Sequence, residues 1–298
     1  MALDWDKLRV FHAVAEAGSF THAGQTLKLS QSAISRQISA LEESLSVPLF
    51  HRHARGLIMT EQGERLYATV HEVFGKLAAT ERALTDSKAA PVGTLRITCT
   101  LALATSWLAP RIQAFIDRYP EIRVTVIADD GDVDLGMGEA DCAVRLGQPQ
   151  QGDLVRRKLM TVHTHVYAAR PYLDRYGAPE RPEDLDRHRM IAYGFSRRPP
   201  VNDINWALYV GRDDTQPRTP VLEINNIYAI GRAVASGIGI AGLPDFITES
   251  VSGLVRVLPT IDGPSYDAYF VYPSELRNSA RLQVFRDFLL SRIPETPF

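Results

Sequence analysis

The sequence predicts an all-α N-terminal region, one long connecting helix and an α/β C-terminal two thirds. Three observations carry this. Residues 1–60 are dense in short apolar patterns at helical spacing. Residues 61–88 lack proline and repeat apolar side chains in steps of four and three. Beyond residue 93, β-rich runs alternate with amphipathic stretches, which suggests parallel βαβ units. A chain of 298 residues is too long for one ordinary core and suits two or three domains. Its 45% hydrophobic and 23% charged residues are ordinary for a globular protein. No apolar run approaches a membrane span, and MALDWDKLRVFHAV mixes acids and a lysine with its apolar residues, unlike a signal peptide. Two cysteines, Cys99 and Cys142, exclude a disulfide scaffold. These features favour the cytoplasm. The net charge of −2 leaves no overall basic footprint, so any nucleic-acid signal must come from where charges sit.

In the first helix Leu3, Leu8, Phe11, Val14 and Ala15 repeat at helical spacing, and Gly18 fits a stop. A second helix covers about Thr21 to Leu27. Ser30 then suits an N-cap for a third helix. There Ile34, Ile38, Leu41 and Leu45 form a core stripe, and Pro48 ends the element. The opposite side holds Ser32, Arg36 and Ser39, flanked by Gln31 and Ser35. A solvated face normally carries Lys and Glu; this one carries neutral hydrogen-bonding groups and one guanidinium. Glu42 and Glu43 would repel phosphate but fall late in the helix. His51, Arg52, His53 and Arg55 precede Gly56 and the short run Leu57–Met59, which suits two strands joined by a basic turn. Thr60 caps a helix running to about Lys88, in which Leu66, Val70, Val73, Leu77, Thr80 and Leu84 form a coiled-coil seam. The competing reading is packing on its own domain.

Residues 89–93 (AAPVG) read as a linker. Strands are expected at 94–100, 122–130, 140–147, 163–170, 190–195, 219–225 and 268–273, and helices at 108–120, 227–237 and 280–293. GIGIAG (237–242) fits G-x-G-x-x-G, but a helix precedes it and Pro244 closes it. A buried strand after a glycine helix stop is expected there, and no cofactor. There is no G-x-S-x-G. The pairs His51/His53 and His163/His165 alternate as strands do and lack further ligands. Neither an enzyme nor a metal site is expected.

A short helix, a turn and a helix with a hydrogen-bonding front match a helix-turn-helix, with residues 51–55 where a wing would reach the minor groove or backbone. The segment from Phe11 to Glu64 resembles the winged helix-turn-helix of the LysR-type transcriptional regulators. Ala13, Gly18, Ser19, Ala23, Leu27, Ser30, Gln31, Ser32, Ser35, Ile38, Leu41, Glu42, Leu49, Phe50, Arg52, Thr60 and Gly63 carry that resemblance. It extends over the whole chain: linker helix, then a two-lobed, periplasmic-binding-protein-like effector domain. Ser46 departs from the family's usual helix-ending glycine, and Ala54 stands where the wing is often polar or basic.

The resemblance implies a DNA-binding domain at 1–60, a linker and dimerisation helix at 61–88, a hinge at 89–93 and an effector domain at 94–298. Lobe I would hold 94–162 and 267–298, and lobe II 163–266. It implies a homodimer, commonly paired into a tetramer, on an inverted-repeat DNA operator, with RNA polymerase as a further partner and no membrane. Gln31, Ser32, Ser35 and Arg36 are expected near bases and phosphates; Ser30, His51, Arg52, His53 and Arg55 should serve the backbone or minor groove. Thr60 should cap rather than touch DNA. For an anionic small-molecule effector in the cleft, the candidates are Thr100 with nearby backbone N–H groups, Ala102, Ala128, Asp129, Arg145, Tyr193 and Asn226. The alternatives are redox sensing through Cys99 and, from a different class, a solute-binding protein, which the N-terminal 60 residues argue against.

Overall fold

The computed structural model describes residues 4–53, 56–85, 90–131, 133, 135–136, 138–147, 154–194, 199–213 and 216–293. The chain divides into two compact units, Met1–Glu81 and Arg82–Phe298. No helix among the described residues is long and apolar enough to cross a membrane.

In the first unit, α1 (Trp5–Ala17) starts at Asp4, whose Oδ1 accepts from the N–H of Asp6 at 3.0 Å. It stops at Gly18, in the left-handed region at φ 58°. Leu3 lies outside the described residues. α2 (Phe20–Leu27) ends at Lys28, also left-handed, and the Leu29 N–H closes the turn on the Gly24 carbonyl at 2.9 Å. α3 (Gln31–Leu45) is capped by Ser30, whose Oγ accepts from Ala33 N–H at 3.2 Å. Leu8, Val10, Phe11 and Val14 of α1 share one buried core with Ile34, Ile38 and Leu41 of α3. Ser46 adopts the left-handed conformation (φ 56°) that glycine would take more readily.

β1 (Phe50–His53) and β2 (Gly56–Met59) pair antiparallel, with Phe50 opposite Met59. Glu42 has a use the sequence did not reveal. Its Oε1 accepts from the N–H of Leu49 at 2.7 Å and of Phe50 at 3.2 Å, pinning the wing to α3. Thr60 Oγ1 donates to the Pro48 carbonyl at 2.7 Å and accepts from Gly63 N–H at 3.0 Å, opening α4 (Glu61–Thr85). Gly63 is required there, because a Cβ would stand 2.2 Å from the Leu49 carbonyl oxygen. Residues 86–88, the expected end of this helix, lie outside the described ones. The expected seam divides. Val70 is buried in the unit's own core with Leu66 beside it, whereas Val73 and Leu77 are exposed.

Among the described residues, the second unit holds two larger sheets and a two-stranded pair. The first has the order β4-β3-β5-β12-β6, from β3 (Gly93–Cys99), β4 (Ile122–Ala128), β5 (Cys142–Leu146), β6 (Leu154–Val162) and β12 (Tyr266–Pro273). β3 runs parallel to β4 and β5, but β12 is antiparallel to β5 and β6. The second has the order β10-β7-β11, from β7 (Thr164–Ala169), β10 (Ala241–Pro244) and β11 (Leu254–Val257), both neighbours antiparallel to β7. β8 (Ile191–Tyr193) and β9 (Leu222–Ile224) form a parallel pair. The expected parallel βαβ pattern is therefore mixed, because the chain passes from one sheet to the other between β6 and β7 and returns between β11 and β12. β6 escaped the sequence reading because it is an edge strand whose Arg156, Arg157 and Lys158 face solvent.

α5 (Leu101–Leu103), a π-helical turn at Ala104–Leu108 and α6 (Ala109–Arg118) form one continuous helical stretch after β3. The π turn buries Trp107. α7 (Arg170–Tyr176), α8 (Ile227–Ala235) and α9 (Ile247–Ser250) accompany the second sheet, and α10 (Ala280–Arg292) follows β12. The GIGIAG run follows α8, with Gly237 left-handed and β10 beginning at Ala241. That helix-then-strand order is the reverse of what a dinucleotide turn needs. α9 joins the two sheets' layers: Arg111 pairs with Glu249 at 2.7 Å, and Ser250 Oγ donates to Ser106 Oγ at 2.7 Å. His163 and His165 engage separate partners, Ser265 for the first and Asp245 and Asp262 for the second.

Candidate functional site

The first candidate surface is the free side of α3. Burying Ile34, Ile38 and Leu41 fixes the helix's rotation, so Gln31, Ser32 and Arg36 stand exposed and Ser35 half-buried. Ser30 is already engaged as the cap, and its Oγ lies 3.0 Å from Ser32 Oγ. His51 is exposed on β1. The backbone places Arg52 and His53 at the tip of the same strand, while Ala54 and Arg55 lie outside the described residues. Glu43 is exposed, but Glu42 is turned onto the wing backbone.

The second is a small pocket, about 30 Å³, between the five-stranded and three-stranded sheets of the second unit. Thr100, Ala102, Asp130, Leu146 and Tyr266 come from the side of the first sheet, and Ile204, Trp206, Ile227 and Phe246 from the other. Its walls are mostly aromatic and aliphatic, with few polar groups, as in small-molecule sites generally. Thr100 is buried, and its Oγ1 has no hydrogen-bond partner among the described residues. Two other polar side chains of the lining are engaged: Thr164 Oγ1 donates to the Pro264 carbonyl at 2.8 Å, and Tyr266 Oη to Asp203 at 2.8 Å.

The backbone N–H expected to hold an effector carboxylate already has one. Leu101 N–H donates to Asp130 Oδ1 at 2.9 Å. Burial pushes the Asp130 carboxyl above its usual range, against the lowering pull of that N–H and of Arg145. Of the seven expected effector contacts, Thr100 and Ala102 line this pocket; the others do not. Ala128 is exposed at the end of β4. Asp129 Oδ1 accepts from Gly131 N–H at 2.7 Å, so its neighbour Asp130 faces inward instead. Arg145 is bound to the Asp129 carbonyl at 2.6 Å and Thr98 Oγ1 at 2.9 Å, bracing two strand ends. Asn226 caps α8, accepting from Ala229 N–H at 2.8 Å. Tyr193 has both backbone groups bound by Asn205 and borders a separate, open hollow with Asn202, Asp203 and Trp206. Trp206 and Ile204, which the sequence reading missed, belong to an irregular segment where no periodicity signals burial.

A winged helix-turn-helix joined to a two-lobed α/β unit with an apolar pocket between its sheets is the architecture of a DNA-binding regulator with an effector-binding domain. The comparisons agree. The profile described as "LysR substrate binding domain" matches residues 88–294, and that described as "Bacterial regulatory helix-turn-helix protein, lysR family" matches residues 5–64. An HTH-type transcriptional regulator of Xanthomonas campestris pv. campestris is 33% identical over 98% of this chain and 86% of its own. The regulator CrgA of Neisseria meningitidis is 29% identical over 98% of both chains. The solved structure of CrgA covers 98% of this chain and 99% of its own with a TM-score of 0.60 at 28% identity. That of AphB of Vibrio cholerae covers 97% and 99%, with a TM-score of 0.60 at 27% identity. The chain belongs to the LysR-type transcriptional regulators.

Nothing around the cysteines favours a reactive thiolate. Cys99 is buried, and desolvation pushes its thiol up to about 12, outweighing the lowering pull of Arg145. Cys142, fully buried, is raised as well. At pH 8 a thiol with a pKa near 12 is ionised to about one part in ten thousand. In the native protein neither cysteine should react with a thiol reagent within the hour that labels the urea-unfolded chain, and peroxide should leave DNA binding unchanged. Rapid native labelling of Cys99 would contradict this.

Proposed function

We propose that α3 enters the major groove with Gln31, Ser32, Ser35 and Arg36 against base edges and phosphates. Ser30, His51, Arg52, His53 and Arg55 approach the backbone or minor groove. The exposure of Gln31, Ser32 and Arg36 opposite a fully buried stripe carries this reading. Gln pairs bidentately with adenine and Arg with guanine, and short serines let the helix backbone come close. A homodimer displays two such helices to an inverted repeat, and pairs of dimers give a tetramer. Val73 and Leu77, exposed one turn apart on α4, supply the dimer seam, in the register expected for positions a and d. On this reading 1–60, 61–88 and 94–298 are the DNA-binding, dimerising and effector-binding parts.

For the effector, the orphan Thr100 Oγ1 in an apolar pocket is the observation that counts. A buried hydroxyl without a partner favours a ligand that supplies one. Asp130 disfavours a carboxylate at the position first expected, so the effector is an uncharged or cationic molecule with an aromatic or aliphatic body. Its binding shifts the oligomer only through differential affinity for two arrangements.

Gln31→Ala with Ser35→Ala should lower affinity for a selected operator by about 1–3 kcal/mol per lost base pairing while leaving salt-dependent nonspecific binding intact. Wild-type footprints from the double variant would remove these contacts. Val73→Glu with Leu77→Glu should yield monomers by light scattering; an unchanged dimer would place the seam elsewhere. In a thermal-shift screen of small aromatic compounds, neutral or cationic members should bind, and Thr100→Val should weaken the best of them about fivefold. Hits confined to carboxylates and indifferent to Thr100→Val would sink the effector reading.

A further inference from the structure

We propose that the DNA-binding unit holds a divalent transition-metal site of the zinc type, built by His12 and Glu16 of α1 and His71 of α4. One ligand atom from each residue lies within 4.8 Å of the others. His12 Nε2 is 3.1 Å from His71 Nδ1, and His71 Nδ1 is 3.6 Å from Glu16 Oε1. Ligands held about 2.1 Å from a tetrahedral ion stand about 3.4 Å from one another. The observed separations bracket that spacing, so small side-chain rotations bring all three onto one centre.

The arrangement is built rather than incidental. His12 and Glu16 occupy positions i and i+4 on α1, and Tyr67 and His71 occupy the same spacing on α4, so two helical pairs face each other. Tyr67 Oη donates to Glu16 Oε1 at 2.6 Å, the kind of outer bond that orients a ligating carboxylate. The His12 ring is stacked on Tyr67 at 5.5 Å between centroids and packs against Phe74 at 5.2 Å, which restricts its rotation. Trp5 stacks on Phe74 at 4.6 Å and holds α1 against α4 just beside the cluster. The side chains of Glu16 and His71 are 45% and 22% exposed, which leaves a route for the ion and room for water as fourth ligand.

The plainer account is an N–H···N hydrogen bond between the two imidazoles. It uses both nitrogens but leaves the carboxylate 3.6 Å from His71, beyond hydrogen-bonding distance. Tyr67 supplies the carboxylate with a donor, and the two imidazole nitrogens and the carboxylate oxygen still converge on one small volume, where a cation would be ligated by all three. Two imidazoles and one carboxylate suit Zn²⁺ and its neighbours in the first transition row better than Mg²⁺ or Ca²⁺, which prefer oxygen. An ion there would tie α1, which packs on the recognition helix α3, to α4.

Untagged full-length protein, stripped with chelator, is titrated with Zn²⁺ alone by calorimetry. One site per chain is expected, with a Kd on the order of 1 µM. His71→Ala should weaken it at least a hundredfold and Tyr67→Phe about tenfold. His51→Ala with His53→Ala should leave it unchanged, and Mg²⁺ should not compete. Absence of a site tighter than about 100 µM, or binding as tight as wild type in both His71→Ala and His12→Gln, overturns the proposal. Should His71→Ala not fold, Co²⁺ bound to the wild-type chain decides. Paramagnetic broadening of the His12 and His71 ring resonances supports the site; broadening of other histidines alone refutes it.

Discussion

The burial of Ile34, Ile38 and Leu41 against α1 is the constraint on which the DNA-binding unit depends. Each is fully buried, and removing such side chains from water stabilises the fold by about 1.5–3 kcal/mol apiece. Because the three lie on one stripe, they fix how far α3 is rotated about its axis, and with it which residues remain outside. Ser30 fixes where the helix starts. Glu42, one step beyond the stripe, clamps the first wing residues to the same helix, which ties the wing to α3. Gly63 lets α4 begin against the Leu49 carbonyl, joining wing and linker helix without a gap.

The effector unit obeys a different constraint. Its chain crosses twice between two sheets, which leaves a pocket between them. The π-helical turn after β3 packs Trp107 and Ser106 toward α9, where the Arg111–Glu249 pair and the Ser250–Ser106 bond span the two sides. Such turns recur at functional sites because they re-aim side chains within a helix. Within the pocket, a carboxylate of the chain's own takes the helix-start N–H that an anionic ligand would seek.

Periodicity and cap chemistry made the helix-turn-helix legible. Stripe, cap and stop are all local: Ser30, Gly18 and Thr60 act within a turn of where they stand in the chain. The edge strand β6 was not legible, because its basic residues face solvent and hide its pairing with β12. Of the residues the sequence suggested for the cleft, Thr100 and Ala102 line the pocket, and Asp130 lines it in place of its neighbour Asp129. The missed histidine cluster has the same origin. His12 and Glu16 show helical spacing, but nothing in either helix's own sequence says that α4 brings His71 beside them.

The sequence by itself determined the order of the N-terminal elements and the face of α3 that is left exposed, since both follow from spacing along the chain, and its resemblance to a known family indicated the class of protein. Tertiary structure alone decided which groups meet: Glu42 with the wing, Asp130 with the Leu101 N–H, Thr100 without a partner, and His71 beside His12. The reason is physical. Periodicity reports which side of an element is buried, whereas a hydrogen bond or a shared ligand depends on atoms a few ångströms apart in space and far apart in the chain.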